Sequence, residues 1–176
     1  MIDITSTSFG LLIAYLLPGL VMLFGLSFWF AELRRLFDTF LNGESNLGLF
    51  LLVTLASIVM SMMVTLVRWY VFELHICRRH YIPPADFDNL SGMGKIAAFR
   101  ASVDEHYRYH QFFGCMAVVL PVLFFGWALE NHVFGDFWKV MAFSAVFLLV
   151  EGFTVKGAYW AYVAYVDRAR HIMEGA

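Results

Sequence analysis

The 176 residues are 61% hydrophobic and 15% charged, whereas a soluble domain carries about 45–50% apolar and about 25% charged residues. That excess excludes an ordinary soluble protein, and an aromatic content of 18% at a net charge of −2 excludes disorder. The length fits one domain, and the charge supplies no basic field for nucleic acid, so no nucleic-acid partner is expected.

Crossing ~30 Å of hydrocarbon takes about 20 mostly apolar helical residues. The first such stretch, 8–30, has no charged side chain. The segment before it has no Lys or Arg, and its apolar run is longer than a signal peptide's, so this helix is expected to be retained. Residues 31–46 then read as a short outer loop with an Asn42-Gly43 turn signal. The second span, 47–72, contains one charge, Arg68.

On a helix each residue advances ~100°, which places Thr54, Ser57, Ser61, Thr65 and Arg68 within roughly 80° of one another. Two readings fit this small, polar stripe. Small residues at four-residue spacing let helices pack closely; alternatively, hydroxyls and a cation stay solvated along an aqueous path.

Residues 73–111 form the longest loop. Pro83-Pro84 prevents the second helix from continuing. A helical pattern restarts after Gly94, with Ile96, Phe99, Val103, Tyr107 and His110 at spacings of three and four. This amphipathic helix is expected to run unbroken into the third span, 112–134, turning His106 and His110 inward and Glu105 and Arg108 outward. A tight connection at Gly135-Asp136 leads to the fourth span, 137–165, which carries Glu151 and Lys156. These two lie about 140° apart around the helix and do not neutralise each other. Lys156 can snorkel toward the interface. Glu151 is left to be protonated, to bond the hydroxyl stripe, or to meet Arg68 or a neighbouring copy. An ionisable group at that depth is a functional candidate by default.

The expected fold is therefore all-α: a single four-helix transmembrane bundle whose third span extends into the cytoplasm. With both termini cytoplasmic, that side holds Arg68, Arg78, Arg79, Lys95, Arg100, Arg108, Arg168 and Arg170, against Arg34, Arg35 and Lys139 outside. The imbalance favours that orientation. Cys77 and Cys115 then face a reducing compartment, and no disulfide is expected.

Five of six histidines, His75, His80, His106, His110 and His171, fall on the cytoplasmic face, with Arg108 among them. Paired histidines at one depth resemble the histidine boxes of membrane di-iron desaturases and hydroxylases, which would make iron the cofactor and His75, His80, His106 and His110 its ligands. Those enzymes carry about eight histidines with adjacent pairs, and this chain has no His-His pair. Histidines hydrogen-bonded to backbone or to Asp86, Asp88 or Asp104 are the plainer reading, with no cofactor. Glycine-rich phosphate loops and Ser/His/Asp orders are absent from the sequence.

Ile82-Pro83-Pro84, Asp86-Phe87-Asp88, and Glu105-His106-Tyr107-Arg108-Tyr109 followed by Gln111-Phe112 resemble a group of small bacterial multi-span membrane proteins of no assigned activity. The resemblance implies a bacterial inner-membrane protein. Three functional readings follow. The first is a non-enzymatic membrane subunit that assembles into a homo-oligomer, forming a pore, channel or membrane-permeabilising effector. The second is a membrane-embedded metal enzyme, and the third an accessory or sensor subunit whose partner docks on the 73–111 loop.

Overall fold

The computed structural model describes residues 4–42, 47–78 and 93–174. Among these every element is helical, and the all-α class stands. The helices are α1 (Ile4–Ser27), α2 (Ala31–Leu41), α3 (Leu47–Arg68), α4 (Met93–Ser102), α5 (Arg108–Glu130) and α6 (Phe137–Glu174). Two π-helical stretches interrupt the pattern, Trp69–Ile76 after α3 and Val103–Tyr107 between α4 and α5.

Among the described residues three helical stretches are long and apolar enough to cross a membrane: Leu47–Ile76, Arg108–Glu130 and Phe137–Met173. The count rises to four if Tyr15–Ser27 and Ala31–Phe40, bent by 119°, make one span. At ~1.5 Å per residue the 24 residues of α1 reach about 36 Å. α1 packs on α3 and α5, and α5 packs on α6. The 38 residues of α6 rise about 57 Å, well beyond the ~30 Å hydrocarbon thickness. Its C-terminal half packs on α4 and the second π stretch. There Cys77, Tyr162, Val166, Ala169 and Met173 form a buried cluster with Phe99, Tyr107, Tyr159 and Tyr165 around it.

Two expectations need correction. The outer segment 31–46 is not simply a loop, because residues 31–41 form α2. Leu33, Leu36, Phe37 and Phe40 recur at i, i+3, i+4 and i+7, and Phe37 buries its ring edge-on against Phe24 at 5.6 Å. Glu32, Arg34, Arg35 and Asp38 face outward.

The helix entering the third span is unbroken from Met93 to Glu130, yet Ile96 does not face inward as its spacing predicts. It is 42% exposed, and Ser102 is buried instead. The Val103–Tyr107 turn closes with Arg108 N–H on the Val103 carbonyl, five residues back. A π turn takes up one extra residue, so everything upstream is rotated by about 100°. The 79–92 stretch, with His80, Pro83-Pro84, Asp86 and Asp88, lies outside the described residues.

Candidate functional site

The α3 stripe lies inside the chain. Ser57 and Ser61 are each 1% exposed. A Cβ at Gly19 of α1 would sit 1.8 Å from the Ser57 carbonyl oxygen, so only glycine permits this approach. Hydroxyls of Thr54, Ser57 and Thr65 donate to the Phe50, Val53 and Ser61 carbonyls of their own helix at 2.7–2.8 Å. Small side chains whose hydroxyls bond back to their own helix are what close helix packing requires.

At the end of the stripe stands the most concentrated polar cluster among the described residues. Arg68, 2% exposed, donates from one terminal nitrogen to Glu73 Oε1 at 3.0 Å and to His110 Nε2 at 2.9 Å. Glu73 Oε1 also accepts the Tyr107 hydroxyl at 3.0 Å. His110, fully buried, holds its Nδ1 2.8 Å from the Ala158 carbonyl of α6. A carbonyl only accepts and a guanidinium only donates, so Nδ1 carries the proton and Nε2 accepts. His110 is thus neutral, and its 3.9 Å approach to Glu73 is not an ion pair.

Local backbone geometry makes the cluster. On an α-helix Arg68 and Glu73 would diverge by about 140°; in the Trp69–Ile76 π stretch, closed by Cys77 N–H on Phe72 O at 2.6 Å, residues five apart come together. Gly114 makes room for the cation, since a Cβ there would meet Arg68 Cγ at 2.9 Å. Rings of Phe72, Tyr107 and Tyr162 surround His110 at 6.1, 5.8 and 4.9 Å. Burial first, then the neighbouring Glu73 carboxylate, pushes the Tyr107 phenol up to about 12. Burial likewise pushes the Cys77 thiol up to about 11.

Arg68, one of the partners left open for Glu151, is engaged by Glu73 and His110. Glu151 is half-buried, and its Oε2 is enclosed without a hydrogen-bond partner among the described residues. Lys156 is exposed. His106 and Arg108 are half-buried. His75 is exposed, its Nδ1 2.8 Å from the Tyr70 carbonyl.

Among the described residues no group of three or more His, Cys, Asp or Glu is placed to hold a metal. Both His110 nitrogens are occupied by protein partners. His110 is thus a buried histidine hydrogen-bonded to backbone, the plainer of the two readings of the histidines. Spacing alone missed Glu73 and the role of Tyr107, because a π turn leaves no mark in a 3.6-residue pattern. Comparisons with protein-family models, curated proteins and solved structures find no match.

Proposed function

We propose that this chain is a non-enzymatic membrane subunit that associates with further copies of itself through the uncovered face of α6. One observation carries the reading. Of the most apolar 18-residue stretch in each helix, 39% is buried in α5 but 6% in α6. Ala145, Leu149, Gly152 and Lys156 are all exposed and fall within roughly 60° of one another. Nothing lies within 4 Å of a Cβ built at Gly152. Small residues on a lipid-facing helix are what a close helix–helix approach requires.

Ser57 and Ser61 are buried inside each copy, so any ion path in such an assembly runs between copies. The membrane is the bacterial inner membrane, with both termini cytoplasmic. The excess of basic residues on that side supports this orientation. The test is the oligomeric state of the full chain in mild detergent, with ion flux measured in vesicles of the same preparation.

A second reading, an accessory or sensor subunit, is favoured by the cluster itself. Arg68, Glu73, Tyr107 and His110 link α3, α5 and, through Ala158, α6 at the level where the extended helices leave the spans. A protein that co-purifies from the native host through the 73–111 loop would support it.

A further inference from the structure

A cleft of about 930 Å³ opens between the ends of α1 and α5 and the start of α6, far along α5 from His110. Its lining is graded. Phe24, Leu123, Phe143 and Val146 form the apolar part, while the polar side chains, Asn131 and Lys139, belong to the α5–α6 connection and the first turn of α6. Val146 lies seven residues along α6 from Lys139, about 10 Å deeper by helical rise. The cleft is thus apolar along its depth and polar at one end, the shape of an amphiphile standing along the bilayer normal.

Charge selects the head. Among the described residues Lys139 is the sole charged one in the lining. Of the two carboxylates nearby in sequence, Glu130 is paired with Arg34 and Asp136 accepts the Trp138 N–H at 2.9 Å, capping α6. The volume lies within the ~300–1,000 Å³ of sites for small organic ligands. We propose that this cleft is a binding site for an anionic phospholipid taken from the surrounding bilayer, its acyl chain against Phe24, Phe143 and Val146 and its headgroup at Lys139 and Asn131.

Trp127 lines the same cleft and reports its contents. The full chain is reconstituted in phosphatidylcholine vesicles in which a minor lipid is either brominated phosphatidylglycerol or, at equal mole fraction, brominated phosphatidylcholine. Quenching of tryptophan emission is compared between wild type and Trp127→Phe to isolate the Trp127 contribution. The proposal expects brominated phosphatidylglycerol to reach Trp127 with about fivefold preference, the size of one lysine–anionic-lipid contact, and expects Lys139→Gln to abolish that preference. Ala142→Phe, which narrows the cleft, should remove the preference for phosphatidylglycerol at unchanged helical content, while bilayer lipid still quenches the half-exposed Trp127 equally from both lipids. Equal quenching by the two lipids, unaltered in Lys139→Gln, would overturn it and leave the cleft as part of the ordinary lipid annulus.

Discussion

Arg68 donates to His110 at 2.9 Å, and this contact fixes the proton of a fully buried imidazole on its other nitrogen. The cation that sequence spacing placed at the mouth of a polar stripe therefore anchors three helices to one another.

Removing that cation leaves Glu73 and His110 without their donor. Arg68→Gln is expected to lower stability by about 3 kcal/mol, the low end for breaking a buried pair, since Glu73 keeps 16% side-chain exposure. Unfolding in detergent checks the size. Arg68→Gln with Glu73→Gln should depart from additivity by more than ~0.5 kcal/mol, while Arg68→Gln with Glu151→Gln should add, because Arg68 and Glu151 do not pair.

Two glycines make opposite predictions. Gly19→Ala drives a methyl group into the Ser57 carbonyl and should cost about 1–3 kcal/mol or more as α1 and α3 separate. Gly152→Ala meets nothing and should leave the thermal midpoint of the dispersed chain unchanged or slightly raised. Equal losses in both variants would contradict the packing described.

Tyr107 gives the chain an alkaline limit. Its folded value, about 12, lies above the ordinary 10.0, so the folded state holds the proton more tightly than the unfolded one. The associated stability is complete below pH 10.0 and disappears as pH climbs to about 12. Stability measured across that window should fall more steeply in wild type than in Tyr107→Phe. The Cys77 thiol contributes its own loss one unit lower, and is held constant in the comparison.

Cys77 and Cys115 are buried, so neither should react with a thiol reagent in the folded chain. Cysteines introduced as Asn42→Cys and Leu90→Cys then report orientation against a silent background. The first should label from the periplasm and the second from the cytoplasm. The reverse pattern rejects the proposed orientation.

Spans were legible because hydrocarbon imposes a long run nearly free of charge, and 47–72, charged only at Arg68, and 112–134, charged only at Glu130, announce themselves that way. Their neighbours were less so. α2 carries an amphipathic spacing from Leu33 to Phe40 that a turn signal at Asn42 overshadowed. The two π turns have no residue signature, so the phase error at Ile96 and the hidden partnership of Arg68 with Glu73 share one physical origin. The stripe from Thr54 to Arg68 was visible, but whether it faced another helix or water depended on Gly19, a contact between distant segments. The cleft at Lys139 is lined by side chains from α1, α5 and α6, a meeting of distant segments that no local pattern encodes.

Cross-linking between copies tests self-association most directly. Gly152→Cys on the open face of α6 is compared in native membranes with Val59→Cys, which is also exposed and lies midway along α3. Mild oxidation should join Gly152→Cys chains into covalent dimers and leave Val59→Cys monomeric. Equal cross-linking at both positions, or none at position 152, would contradict association through α6.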